Sequence, residues 1–517
     1  MEKGTFTIHN QNHCSTAIQK WVSYEKVSST MRTAFFSFQT AVTVKNKNSF
    51  FGHNRWLNSK KAKSLIVLAI IAVMLISIFA FLPKQDESKA IVPQATDNPT
   101  AMATATPSVT ATPSKSGGSV LSSLGQFINS MVGIAPTPVP TPKPPGVLAS
   151  AQTINSTVWR AVAANAWAYF QPDIGVDSTT GLPFATAPVF TDWDLGAYIQ
   201  AVIDAQKIGL ISNQSDWSFN ARMDKVLTFL ETRPLNATTN YPYQFYQSTD
   251  GQDDHADSDQ STQPIDLIDT GRLFDALNNL KTYDANLTSR INNFVYNVYG
   301  NRTNYAALVP HIKSDVLTDN SIYAYYCWSG FASFWPNNLT NVQSTILNNI
   351  FSAGNVTALG NVSLPKATIT GDPLFCSVFE LNNTDPRLMA LANQVFSASE
   401  AYYNVTGYYR AFGEGPNFTG GWEWEWVVLP NGQTWILDTA DSNSSPIAYT
   451  KIAMSFLAIY NTTYSQNLSI FLENTLPTPN NGYFEGVDDA GEALMIIGDL
   501  TNSLILDAAL YAIQTGP

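Results

Sequence analysis

Two periodicities divide this chain. From residue 152 onward, apolar positions return every third or fourth residue, the spacing of helices that bury one face or more. Helices are predicted near 155–170, 193–209, 217–232, 265–282, 287–299, 320–334, 338–352, 373–381, 385–403, 446–460, 464–474 and 489–513, with Gly, Pro, Asn and Asp between them. One stretch breaks that period. "GGWEWEWVVLPNGQTWILD" alternates residue by residue across a Pro-Asn-Gly turn and predicts a β-hairpin.

Twelve helices pair into six hairpins, which suit a solenoid or a closed double ring. No fixed sequence period supports the solenoid. The expected fold class is therefore all-α: an (α/α)6 toroid, a barrel of helical hairpins, with a small β-hairpin insertion over residues 152–517.

The region before it reads differently. Ser64 to Leu82, "SLIVLAIIAVMLISIFAFL", runs without a charge and is about long enough to cross a hydrocarbon core. Arg55, Lys60, Lys61 and Lys63 precede it, which places residues 1–63 in the cytoplasm and the rest outside a cell membrane, as a single-pass signal anchor. A cleaved signal peptide is the alternative, but the basic region is long and the apolar run exceeds a signal core. Residues 83–151 are rich in Pro, Thr, Ser and Ala ("APTPVPTPKPPG") and predict an extended extracellular stalk. Asn-X-Ser/Thr sequons occur only after the apolar run, at Asn155, Asn213, Asn286 and eleven further positions. That one-sided density predicts a glycoprotein.

Charge and motifs exclude several chemistries. Residues 1–63 carry ten Lys/Arg against two acids, while the whole chain has a formal net charge of −12, so the body is strongly acidic. An acidic body argues against nucleic acid as a partner. The three cysteines, Cys14, Cys327 and Cys376, show no metal-binding spacing; Cys327 and Cys376 either pair or stand as buried thiols. The sequence contains no HExxH, GxSxG or P-loop. "TDGQDDHADSDQ" (249–260) is a solvated acidic loop or a loose calcium loop, without the ordered spacing of an EF-hand. No metal and no cofactor is expected.

The acids of the helical region fall at helix starts. Taking every second helix, Asp192 and Asp194 precede the second, Asp266 and Asp269 open the fourth, Asp319 the sixth and Asp372 the eighth. Asp438 and Asp441 precede the tenth, and Asp488 and Asp489 start the twelfth. Asp is a good N-cap, which accounts for each of these alone. In a closed ring of hairpins, however, alternate helices start at one rim, so the same acids also surround one mouth.

Aromatic residues gather at the same boundaries, among them Trp193, Tyr323, Trp422 and Tyr483. Carboxylates with exposed aromatic faces suit a carbohydrate or glycan, and glycosyl transfer needs a protonated acid plus a second carboxylate. Glutamates are scarcer than aspartates here. Glu414 sits in "RAFGEGPN" and Glu485 in "NGYFEGVDD"; Glu423 and Glu425 lie two apart on the hairpin and share a face opposite Trp424. A glutamate packed against Trp or Phe has a raised pKa, as a general acid requires.

These pieces resemble, in order, the domain of unknown function 3131, found in archaeal and bacterial surface proteins. The resemblance covers residues 155–513 through "AWAYF", "TGLP", "TDWDLGAYIQAVIDAQKIGLI", "LIDTGRLFDALNNL", "YCWSGFASF", "GDPLFCSVFELNNTDPRLMALANQV", "YYNVTGYYRAFGEG", "WEWVVLPNGQTW" and "GYFEGVDDAGEA". That family is similar to (α/α)6-barrel glycoside hydrolases and glycoamylase-like proteins. The resemblance implies a helical toroid that works on carbohydrate. It places Asp194, Asp269, Arg272, Glu414 and Glu485 among the polar residues around the cavity. One departure is Ala324, near which relatives carry Glu; if that Glu is catalytic in them, this chain is a binder.

The expected roles follow. Glu414 or Glu485 is the general acid and Asp194 the base or nucleophile. Asp192 and Asp269 orient, Arg272, Glu423 and Glu425 line the site, and Trp193, Tyr323, Trp422 and Tyr483 touch the sugar. The alternative is a non-catalytic glycan-binding or cell-envelope module.

Overall fold

The computed structural model describes residues 146–253, 265–381, 385–439, 444–477 and 480–516. The segments 1–63 and 64–82 and nearly all of 83–151 lie outside these residues. Among the described residues, no helix is long and apolar enough to cross a membrane.

Among the described residues, thirteen α-helices form the body: α1 (Ser156–Trp167), α2 (Asp192–Ile208), α3 (Phe219–Thr232), α4 (Leu267–Tyr283), α5 (Thr288–Val295), α6 (Val309–Asp315) and α7 (Ile322–Phe334). They continue with α8 (Val342–Ser352), α9 (Gly371–Glu380), α10 (Pro386–Thr406), α11 (Thr450–Tyr460), α12 (Thr463–Thr475) and α13 (Asp499–Thr515). Helices α2, α4, α7, α9, α11 and α13 pack each on the next, and α13 closes on α2. The expected ring is therefore present, and the inner helices are the alternate ones.

Burial separates the two layers. Fifteen of the seventeen residues of α2 are buried, because it is surrounded by neighbours. The outer α3 buries only one face, Phe219, Arg222, Met223, Val226, Leu227, Phe229 and Leu230. Close approach inside the ring depends on glycine. A Cβ on Gly271 of α4 would lie 2.5 Å from the Cys327 carbonyl of α7.

Local chemistry starts the helices. Thr191 and Asp194 form a capping box on α2, and Gly209 ends that helix at φ 88°. Asp266 caps α4, Ser321 caps α7, and Asp385 with Pro386 opens α10.

The β content exceeds the single expected hairpin. Four small antiparallel sheets occur among the described residues. The predicted hairpin is β6 (Trp422–Val428) against β7 (Thr434–Thr439), with β5 (Glu414–Pro416) added on the other side of β6. β8 (Ile447–Tyr449), β9 (Phe484–Asp488) and β10 (Ala493–Ile497) form a second three-stranded sheet. The others pair β1 (Val189–Phe190) with β2 (Tyr246–Gln247), and β3 (Asn355–Ala358) with β4 (Val362–Pro365).

Several boundaries move. The last helix begins at Asp499, not at Asp488 and Asp489, because Asp488 accepts from the amides of Ala490 and Glu492 in the β9–β10 turn. Helix α6 is additional, and the fifth predicted helix ends at Val295. The expected stalk also ends early: Leu148 is 1% exposed, and the amides of Leu148 and Ala149 donate to Glu473 of α12 at 2.8 and 3.1 Å. Cys327 and Cys376 are free, buried thiols, which removes the pairing alternative.

Candidate active site

The first turns of the inner helices meet at one rim, and carboxyl groups converge there. Asp194 is the third residue of α2, and its Oδ2 accepts the Thr191 amide at 2.7 Å. No hydrogen bond among the described residues engages its other oxygen. Burial pushes its pKa up to about 6, against the pull of Thr191 and Arg272. Asp499 opens the neighbouring helix α13. One oxygen accepts the Leu500 amide at 2.8 Å, the other has no partner, and burial with the Asp194 charge raises it well above the carboxylate range.

Glu414 enters from β5. It is 6% exposed, and the Tyr323 hydroxyl is the neighbour of its carboxyl group. Burial and the neighbouring Asp372 raise it to about 7, opposed by Lys451, Tyr323 and Arg272. Asp372, in the first turn of α9, accepts Lys451 Nζ at 2.6 Å and the Glu414 amide at 2.9 Å. Glu485 on β9 is 1% exposed and accepts the Thr501 hydroxyl at 2.6 Å; burial raises its pKa and Lys451 lowers it.

Between Asp194 and Glu414 lie aromatic rings and one guanidinium. Arg272 stands 4.4 Å from the Trp193 ring centroid, and Trp193 is 5.8 Å from Tyr323. The Tyr323 hydroxyl sits beside Glu414 without hydrogen-bond geometry, and burial followed by Glu414 raises its pKa. Arg272 faces Asp194, Glu414 and Asp499 at once and lowers all three, so it is their shared counter-charge. Asp269, the third residue of α4, is half-buried and raised by burial, Asp266 and Asp194. Ala324 holds the same third position in α7 and is 1% exposed.

The sheet orders the remaining groups. Trp422, Trp424 and Trp426 of β6 are half-buried, while Glu423 and Glu425 between them are fully buried, the expected alternation. Glu414 pairs directly with Trp424 in the ladder, so both side chains leave the same face of the sheet. Glu423 and Glu425 point to the other face, into the protein. Glu423 accepts the Ser444 hydroxyl, and Glu425 accepts the Ile447 amide at 2.6 Å. Burial and Glu423 raise Glu425 well above its ordinary range.

Two further expected site residues, besides Glu423 and Glu425, take structural positions. Asp192 forms a buried ion pair with Arg233, which also donates to the Tyr305 hydroxyl at 3.0 Å. Arg233 engages both of its oxygens, and the Thr270 hydroxyl donates to one of them at 3.5 Å. Tyr483 is 2% exposed, and its amide donates to Asn502 at 2.7 Å, so its ring is core and offers no open face to a sugar.

Other groups carried weak sequence signals. Lys451 lies in the apolar run "YTKIAM", and nothing local announces that it is the buried partner of Asp372. Tyr169, beside Asp499, Asp194 and Glu485, donates its hydroxyl to the carbonyls of Phe184 and Ala185. Asp275, Glu380 and Asp507 also neighbour Arg272, whose guanidinium is 3.7 Å from Glu380, and Asp204 lies beside Glu380 and Asp507. Both Asp507 oxygens lack a hydrogen-bond partner. Among the described residues, no group of three or more His, Cys, Asp or Glu is arranged to hold a metal ion. Most of the acidic loop 249–260 lies outside those residues.

Several solved structures are similar in backbone. An endo-β-1,2-glucanase from Chitinophaga pinensis, in complex with sophorotriose and glucose, is 13% identical, with 70% of this chain and 94% of that chain covered and a TM-score of 0.47. An endo-β-1,2-glucanase from Talaromyces funiculosus, with sophorose, is 11% identical over 72% and 89%, at a TM-score of 0.48. A glucoamylase-like protein from Bacteroides fragilis is 13% identical over 71% and 96%, also at 0.48. No curated protein sequence matches the chain. Residues 161–515 match the family model described as protein of unknown function, DUF3131, and the chain is a member of that family.

Proposed function

We propose that this protein is a glycan-active enzyme that cleaves or rearranges glycosidic bonds, with Glu414 as the general acid and Asp194 as the second carboxylate. One observation carries this reading. Glu414 and Asp194 flank the Arg272, Trp193 and Tyr323 group, each keeps an oxygen outside any hydrogen bond, and their pKa values are raised to about 7 and about 6. Near neutral pH the first holds a proton for a leaving oxygen while the second has largely given its proton up. That asymmetry is what glycoside hydrolysis demands of two carboxyl groups.

The other groups support these two. Glu485 is a positioning residue, since Thr501 and Lys451 hold it beneath the rim. Asp269 and Arg272 orient and balance charge around Asp194. Tyr323, Trp422 and Trp424 supply ring faces for sugar C–H groups, with part of each of these two indoles left uncovered, while the buried Trp193 stacks on Arg272.

Expression of wild-type and Glu414→Gln protein, followed by assay of reducing ends across a glycan panel that includes β-1,2-glucan and starch, tests the assignment. Turnover should vanish in the variant while its circular dichroism stays unchanged. Wild-type turnover by Glu414→Gln would sink the role of Glu414.

Ala324 favours a second reading, a non-catalytic glycan-binding module, because the first turn of α7 carries no carboxylate, whereas the first turns of α2, α4, α9 and α13 do. Oligosaccharide binding with no reducing ends released from any glycan would establish it. For location, we propose that residues 64–82 anchor the chain in the cell membrane with the helical domain outside. The uncharged run, the basic residues before it and the sequons after it support this placement.

A further inference from the structure

Strand β6 carries three indoles on one face. Trp422, Trp424 and Trp426 alternate with the buried Glu423 and Glu425, so they leave the sheet on the side away from those two acids. All three are half-buried. Trp422 rests against the hydrophobic core of the described residues, whereas Trp424 and Trp426 are not packed on that core. Trp426 instead meets the Tyr323 ring edge to face at 6.0 Å, and its Nε1 donates to Asp438 at 3.4 Å. Indoles bury more area than other side chains, so two of them left off the core beside a carboxyl site point to a ligand that covers them.

The strand register fixes where the acid stands along this row. Glu414 of β5 is directly opposite Trp424, the middle indole, and Asp438 of β7 is opposite it on the other side. Directly opposed residues share a face. Successive same-face residues on a strand are about 6.6 Å apart, so Trp422 and Trp426 stand about 13 Å apart, one on each side of Glu414. A single sugar ring does not cover that span. Asp438 is exposed; it holds the indole edge of Trp426 and places an acceptor for sugar hydroxyls next to it.

We propose that β6 is a platform for a linear, neutral glycan chain, with Trp422 and Trp426 binding sugar units on opposite sides of the bond that Glu414 protonates, so that internal bonds of a polysaccharide are cleaved. Internal cleavage rests on the assignment of Glu414 as the general acid. The glycosidic carbon–oxygen bond breaks, the leaving oxygen takes the Glu414 proton, and water adds to the anomeric carbon, its proton passing to Asp194. A chain bound by its end leaves one outer indole empty and forfeits that contact. Asp438 and the acids of the rim repel a polyanionic chain, which is why the substrate is a neutral one.

The test uses the full chain as wild type, Trp422→Ala, Trp426→Ala and Trp426→Phe, with β-1,2-glucan, starch and oligosaccharides of graded length from each. Viscosity should fall ahead of reducing-end release, and kcat/KM should rise with chain length. Each Ala variant should lose about tenfold in kcat/KM on long chains, as for one stacked ring, and less on disaccharides. Trp426→Phe keeps a ring and should recover part of the loss. Release of small sugars from chain ends, with kcat/KM independent of length, would overturn internal cleavage and leave the role of Glu414 standing. Wild-type behaviour of both Ala variants on long chains would overturn the platform, as would an equal loss on short and long chains. If no glycan is cleaved, quenching of tryptophan fluorescence by the same oligosaccharides decides. Affinity that rises with length and falls in Trp426→Ala upholds the platform while sinking the catalytic reading; absent or length-independent binding overturns both.

Discussion

Lys451 Nζ lies 2.6 Å from Asp372 Oδ1, with both side chains buried, and the same ammonium donates to the Glu414 carbonyl oxygen at 2.6 Å. One cation thus ties α11, α9 and β5 together beneath the proposed acid. Replacing Lys451 with Met leaves Asp372 buried and unpaired, which should cost about 3–5 kcal/mol of stability. Chemical denaturation measures it. Adding Asp372→Asn should restore part of the loss, because the stranded charge is then gone.

The pH dependence of catalysis should be bell-shaped and narrow. Activity falls as pH drops through about 6, where Asp194 takes up a proton, and falls again as pH rises through about 7, where Glu414 loses the proton it must donate. The two groups share Arg272, so the measured limbs belong to the coupled site. A kcat/KM profile on any hydrolysed glycan checks this. Asp194→Asn should remove activity across the range, and a variant that retains a normal acid limb would contradict the assignment.

Stability should be greater in mild acid than in weak base. Burial raises Asp275, Glu380 and Asp507 above their ordinary values, so the folded chain keeps protons that the unfolded chain releases above about pH 4. Their contribution is full below that pH and is lost as pH rises through the folded values. Asp507→Asn cannot ionise and should raise the denaturation midpoint at pH 8 more than at pH 5. Equal shifts at both would show that Asp507 is already ionised in the folded state.

Asp192 should behave as a structural residue. Its buried pair with Arg233 links the start of α2 to the end of α3. Asp192→Asn should lower thermal stability, with a loss of about 3–5 kcal/mol for Arg233→Met, which strands the carboxylate. The pH–rate profile of Asp192→Asn should keep its shape; a displaced acid limb would return Asp192 to the chemistry.

The sequence by itself determined the alternation of inner and outer helices, the starts of most of them and the β6–β7 hairpin. These rest on local causes: apolar spacing, Asp and Ser caps, a Pro-Asn-Gly turn, and the alternation that sends Glu423 and Glu425 to one face. It also placed Asp194, Asp269 and Asp372 in first turns, hence at one rim once the ring closes. Only the tertiary structure decided which acids keep a free oxygen. Arg233 withdraws Asp192 and Lys451 takes one Asp372 oxygen while the Glu414 amide takes the other, whereas Asp194, Glu414, Glu485 and Asp499 each keep an oxygen free. The start of α13 at Asp499 was hidden because a turn at Asp488 uses the same residue type as a helix cap. The physical reason is range. A cap or a strand face depends on neighbours a few residues away, whereas the partner and proton affinity of a buried carboxyl depend on side chains that only ring closure brings together, as with Lys451 and Asp372.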